Sequence, residues 1–216
     1  MEDVYSKGYG NLFPDSNIVS VLINYLRDSN NIIEVPREFL KLLDIGCGLA
    51  SNLFFLLEIE NLHYQGIDIS EIAVSKAEAR IKNYGLEKRA RVKSTSSEVF
   101  LQSCVEKFDF ILDRASLQHH DFMQDKVYAL KFFRSIEEKL SETGILISVW
   151  AGKENLGSKK RFFNFTPFEE VNAELDSIFQ IIEVKKISKF NLTRGSETKL
   201  SEEFLVVAKK KELFND

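Results

Sequence analysis

Asp44, Gly46 and Gly48 close the apolar run Leu42-Leu43-Asp44-Ile45, and their types and order suit a ligand cradle. A residue without a Cβ lets a ligand reach the backbone N–H groups, and a helix after such a turn offers more of them. Asp44, two positions before the first glycine, puts a carboxylate where a cationic group is attracted and a pyrophosphate repelled. A second acid, Asp68, closes the next strand-like run, His63-Tyr64-Gln65-Gly66-Ile67-Asp68. There it is placed to accept both hydroxyls of a ribose. The dinucleotide fingerprint G-x-G-x-x-G is incomplete, because Ser51 stands at the third glycine position after Ala50. A turn needed only for packing is the competing reading, and the two acids at this spacing weigh against it.

One acid for an amino group and one for a ribose describe S-adenosylmethionine better than NAD. Asp44-Ile45-Gly46-Cys47-Gly48, Gly66-Ile67-Asp68-Ile69-Ser70, Phe108-Asp109-Phe110-Ile111 and Leu140 through Gly144-Ile145-Leu146 follow one another in the chain. Together they resemble the successive motifs of class I S-adenosylmethionine-dependent methyltransferases, most clearly over residues 40–150. The resemblance implies S-adenosyl-L-methionine as cofactor and S-adenosyl-L-homocysteine as product. It also implies cofactor contacts from Asp44, Gly46, Cys47, Gly48, Asn52, Asp68 and Ile69, with Asp113 and Arg114 beside the methionine part. Where the family usually carries an acid for the adenine amino group, this chain has Ser96 and Ser97, with Glu98 slightly late. A hydroxyl or backbone contact to adenine is therefore expected, although hydroxyls before a helix also serve as caps.

His119 falls where many small-molecule members carry a histidine near the methyl acceptor. Its type suits removal of a proton from an attacking hydroxyl, amine or thiol near neutral pH. A histidine that satisfies a loop carbonyl is the alternative for His119, and more so for His120. Methyl transfer needs little acid–base help, since alignment and desolvation supply much of the acceleration. The motif of amino-methylating DNA enzymes, a polar residue followed by Pro-Pro and an aromatic, is missing after the fourth strand. Nucleic-acid modification is correspondingly disfavoured.

The elements that must position these residues alternate in type. Asp15 or Ser16 caps a helix carrying Ile18, Val19, Leu22, Ile23 and Leu26 on one face. Ser70 caps a helix that Gly85 stops, Ala90 to Thr95 is a third strand, and Ser97 to Cys104 is a short helix. Phe108 to Leu112, a helix from Asp125 to Leu140, and Ile145 to Trp150 complete the alternation. Such a pattern predicts an α/β fold with a doubly wound parallel sheet. Thr166-Pro167-Phe168-Glu169 reads as a capping box before a helix to about Asp176. Phe179 to Phe190 and Glu202 to Lys210 read as an antiparallel pair. With the family resemblance, the expectation is a Rossmann-like, seven-stranded, mostly parallel sheet with an antiparallel C-terminal strand pair.

The chain of 216 residues reads as a single domain, 1–216, with no repeat or linker. Residues 1–35 form an N-terminal arm and helix, 40–150 the cofactor core, and 151–216 the acceptor-side loop, helix and strand pair. Tyr5, Tyr9 and Phe13 suit either a pinned arm or a flap over the ligand. Trp150, Phe162, Phe163 and Phe165 are candidates to line the acceptor pocket, and the basic run from Lys153 to Arg161 either attracts an anionic substrate or is solvated. A formal charge of −4 argues against a general nucleic-acid binder. Cys47 and Cys104 give neither a disulfide framework nor zinc spacing, so no metal is expected, and both read as buried thiols. The acidic start lacks a signal-peptide core, and no run is long enough to span a bilayer. A cytoplasmic monomer or homodimer acting on a small-molecule acceptor is expected. Methylation of protein or RNA, a non-catalytic cofactor-binding subunit and an NAD enzyme are the alternatives.

Overall fold

The computed structural model describes residues 13–27, 39–114, 116–119, 125–152, 166–193 and 196–211. In chain order the elements are α1 (Ser16–Arg27), β1 (Leu40–Ile45), a 3-10 turn (Ser51–Phe54), α2 (Phe55–Glu58), β2 (Leu62–Asp68) and α3 (Glu71–Asn83). They continue with β3 (Ala90–Ser94), α4 (Ser97–Ser103), β4 (Phe108–Arg114), a 3-10 turn (Leu117–His119) and α5 (Lys126–Lys139). The last are β5 (Leu140–Ala151), α6 (Phe168–Ile178), β6 (Phe179–Thr193) and β7 (Ser196–Lys210). They build one seven-stranded sheet in the order β3-β2-β1-β4-β5-β7-β6. The first five strands are parallel, and β7 inserts antiparallel between β5 and β6. The seven-stranded expectation holds.

Apolar runs without alternation are what a sheet covered on both faces demands. Adjacent residues of one strand enter opposite layers. Leu42, Phe110, Ile147 and Val207 join the layer that includes Ile18, Leu22, Leu53, Leu56 and Ala77. Leu43, Ile111, Leu146 and Val206 join the other, with Phe100, Phe133, Ile136, Val171 and Leu175 from α4, α5 and α6. Trp150 is fully buried in this second layer, edge-on to Phe133 at 6.3 Å. It is a core residue, so its expected place in an acceptor pocket is corrected.

The caps follow the sequence in most places. Asp15 accepts the Asn17 N–H, Ser70 the Ala73 N–H, Ser96 the Val99 N–H and Asp125 the Tyr128 N–H. At α6 the N-cap position falls one residue after the expected Thr166. Pro167 is the N-cap of α6, with no side-chain cap, and the helix runs on to Ile178. Thr166 is buried instead, its N–H donating to the Gln118 carbonyl at 2.7 Å. Of the two cysteines, Cys47 is buried and Cys104 only partly so. Among the described residues no helix is long and apolar enough to cross a membrane, and no cluster of His, Cys, Asp or Glu could hold a metal.

Candidate cofactor site

Strand order reverses between β1 and β4, and in doubly wound sheets the crevice beyond such strand ends is where ligands bind. The glycine turn after β1 lies there. Gly46 has φ +68°, and a Cβ on it would meet Ser116 Oγ at 2.3 Å. Both the backbone and the neighbour therefore require glycine. The turn is tied to β2: the Cys47 N–H donates to the Ile67 carbonyl and the Gly48 N–H to Asp68 Oδ2, each at 2.9 Å. Gly66 leaves the room that Cys47 Sγ and the Tyr64 ring occupy, since its Cβ would meet them at 2.8 and 2.9 Å. The Arg80 guanidinium, 5.6 Å above the Phe54 ring, donates to the Leu49 carbonyl from α3.

A cavity of about 300 Å³ opens beside this turn, lined by Gly46, Asp68, Ile69, Ser96, Ser97 and His119, with Ile45, Ile67, Thr95, Glu98 and Ser116. Asp68 and Glu98 are the acids on its wall. The Asp68 Oδ1 accepts the Ser70 N–H and its Oδ2 the Gly48 N–H, which hold the carboxylate in place. Glu98 accepts the Tyr128 hydroxyl at 2.8 Å, which orients it at the end of α4 nearest the cavity.

Asp44 lies behind the turn rather than on the cavity wall. It is 2% exposed, and its Oδ2 accepts the Tyr64 hydroxyl at 2.7 Å and Asn52 Nδ2 at 3.0 Å. Burial pushes its carboxyl up to about 7, with Asp113 and Asp68 adding repulsion and the two hydrogen bonds opposing it. Burial, together with Asp44 and Asp68, also pushes the Cys47 thiol well above its ordinary range. Asn52 Oδ1 is buried with no hydrogen-bond partner. A buried acceptor left open behind the glycine turn fits a ligand that brings its own N–H donor.

Asp113 and Arg114 shape the site from behind. Asp113 is fully buried: Oδ1 accepts the Ser116 and Leu117 N–H groups, both at 2.9 Å, and Oδ2 the Ser148 hydroxyl at 2.7 Å. Burial raises its carboxyl to about 6, against those hydrogen bonds. It thus fixes the turn that delivers Ser116 and His119 to the cavity. Arg114 pairs with Asp15 at 3.1 Å and Glu203 at 3.7 Å, joining the start of α1 to β7. Gln118 accepts the Ala151 N–H at 2.8 Å, which ties the same turn to the end of β5.

Of the residues expected from sequence, the fold brings Gly46, Asp68, Ile69, Ser96, Ser97 and His119 to one cavity. Asp44, Cys47 and Asn52 form the layer beneath the turn, and Asp113 and Arg114 bind other parts of the chain. Sequence reasoning missed Tyr64 as the partner of Asp44 and Ser116 as the neighbour that Gly46 admits. Parallel register sets Tyr64 opposite Leu42, one short step from Asp44, but nothing local to Tyr64 signals it. Phe13 stacks on Phe54 at 5.5 Å, at the edge of the glycine turn. Tyr5, Tyr9, His120, the basic run 153–161 and Phe162, Phe163 and Phe165 lie outside the described residues.

Comparison with known proteins adds a lineage to this geometry. A family described as a methyltransferase domain matches residues 37–197. Polyamine aminopropyltransferase 2 of Aquifex aeolicus is 26% identical over 154 residues, which cover 67% of this chain and 31% of that protein. The chain spans about a third of the length of the curated relatives it matches, 31% and 38%. Among solved structures, TehB from Haemophilus influenzae has a TM-score of 0.65 at 16% identity, covering 97% of this chain and 67% of that one. An S-adenosylmethionine-dependent methyltransferase from Clostridium acetobutylicum has a TM-score of 0.64 at 16% identity, covering 92% and 93%.

Proposed function

We propose that this chain, which belongs to the methyltransferase domain family, is an S-adenosylmethionine-dependent methyltransferase with a small-molecule acceptor. The observation that carries the reading is the cavity of about 300 Å³ where the glycine turn, Asp68 and the turn bearing His119 meet. A volume of this order lies at the lower end of the range of small-ligand sites.

The fit to S-adenosylmethionine rests on donor and acceptor chemistry. The backbone of Gly46 to Gly48 and the open Asn52 Oδ1 would hold the amino-acid part, with the Asp44 carboxylate beneath them favouring a cation. Asp68 would accept the ribose hydroxyls, and Ser96 and Ser97 with Glu98 would flank the adenine. The bound cofactor supplies a methyl group on a sulfonium, a good leaving group for in-line displacement. The chain's own part is to align and to exclude water. Asp113 holds the Ser116–His119 turn at the cavity, where the His119 imidazole would take the proton of the acceptor.

Calorimetric titration of S-adenosylmethionine and S-adenosylhomocysteine, with NAD as control, tests the reading. Binding in the micromolar range, about −8 kcal/mol, is expected, weakened by Asp68→Ala. A folded protein that binds neither, or binds NAD instead, would sink it. A protein that binds both tightly yet turns over no acceptor in a panel of small amines, thiols and hydroxyl compounds would favour a non-catalytic subunit.

A further inference from the structure

At the opposite edge of the sheet, where β1 to β4 begin, a second cavity of about 500 Å³ is walled partly by Phe100 and Ser103 of α4. Its charged rim is Lys41, Lys88, Arg89, Arg91 and Lys93, with Glu106 as the acid among its lining residues and His63 beside them. A chain of net charge −4 thus collects Lys and Arg from β1, from β3 and from the turn before β3 in one concavity. Two of the cations are spent on the fold. Lys41 pairs with Glu106 at 2.7 Å, and Arg89 donates to the carbonyls of Leu56, Ile59 and Glu60.

Lys88, Arg91 and Lys93 have no acidic partner among the described residues. Arg91 and Lys93 stand two apart on the edge strand β3, opposite Gln65 and Ile67 of β2, so both project from the same face. Exposed like charges side by side on a strand repel one another, and an anion seated between them removes that cost. Beneath them the Phe100 and Phe108 rings, 6.5 Å apart, give an apolar floor. A cavity of this size lies within the range of small-molecule sites, and a single concavity differs from the basic stripe that a nucleic acid requires.

We propose that this cavity binds a phosphate-bearing small molecule, its anionic group held by Lys88, Arg91 and Lys93 and its remainder against Phe100 and Phe108. The site is separate from the glycine turn and does not depend on the methyltransferase reading. The segment from Arg91 to Ser103 contributes to both cavities, with Thr95, Ser96 and Ser97 at one and Arg91, Lys93 and Ser103 at the other.

The test is titration with inorganic pyrophosphate and with ADP at low and high salt, on wild type and on Arg91→Gln/Lys93→Gln, with and without saturating S-adenosylhomocysteine. Both replaced side chains are exposed, so the variant keeps its fold, which its thermal unfolding verifies; Lys88→Gln is a second, single variant. Wild type should bind both probes, more weakly as salt rises. The double variant should lose about tenfold or more, the scale of one charge-assisted hydrogen bond. S-adenosylhomocysteine should leave pyrophosphate binding in place. Absence of binding at low salt, or equal binding by the double variant, would overturn the proposal. Displacement by S-adenosylhomocysteine would also overturn it, because the phosphate would then occupy the cofactor cavity. So would a short RNA binding more tightly than ADP, which would make the surface a nucleic-acid one.

Discussion

Asp44 retains its proton up to about pH 7 in the folded chain, whereas an unperturbed aspartate releases it near 3.8. Between those values the unfolded chain has lost a proton that the folded chain keeps. The contribution of Asp44 to stability therefore falls as pH rises through this window. Asp44→Asn removes this share of the slope and leaves that of Asp113, whose carboxyl is raised to about 6. Urea unfolding between pH 5 and pH 8 should show the variant gaining stability relative to wild type as pH rises; a constant difference would mean that Asp44 is ionised throughout. A cationic ligand favours the ionised carboxylate, so its affinity for wild type should increase over the same range. At Gly46 the constraint is steric and conformational together. Gly46→Ala is expected to cost about 1–3 kcal/mol in stability and to abolish cofactor binding. Adding Ser116→Gly should recover part of the loss, because it removes the atoms that the new methyl meets, and a double-mutant cycle measures that coupling.

At the scale of elements, α1 is held to the site end of the sheet by one residue used twice. Asp15 accepts the Asn17 N–H as the N-cap and the Arg114 Nε–H across 3.1 Å. Asp15→Ala is expected to cost about 1 kcal/mol, a typical cap loss, and to speed amide exchange over residues 16–27. Unchanged exchange there would show that burial of Ile18 and Leu22 alone anchors the helix. Caps within one turn of their helix are local and were legible, as at Asp15 and Ser70. The start of α6 was read one residue early, and the bond from the Thr166 N–H to the Gln118 carbonyl, far away in the chain, had no local signal. Strand ends were read short for a related reason. β5 starts at Leu140, before Gly144, because the chain pairs with Phe108 there and then passes a register shift.

For the whole molecule, the single tryptophan is a reporter of the second core layer and not of the cavity. Trp150→Phe should lower unfolding stability by about 1–3 kcal/mol and leave S-adenosylhomocysteine affinity unchanged. A loss of affinity would place the end of β5 in the site after all.

The order of elements, the parallel core and the terminal antiparallel pair were determined by the sequence alone. Apolar runs of strand length, glycines at element ends and hydroxyl or carboxyl caps are short-range signals, and they leave few ways to layer the chain. Gly46, Asp68 and His119 were also legible as candidates, since each stands at the end of a strand or in the turn beyond it. Which side chains face the cavity was decided only by the tertiary structure. Asp44 and Asp68 occupy like positions at the ends of neighbouring strands. Yet Tyr64 and Asn52 close over one, while the other is held at the wall by two N–H groups. Asp113 turned inward because Ser148 of β5 and the backbone of the next turn supply its donors. The basic cavity drew its cations from segments scattered along the chain, so no local pattern announced it. A carboxylate's role depends on which donors reach it, and those donors come from strands that only the folded sheet makes neighbours.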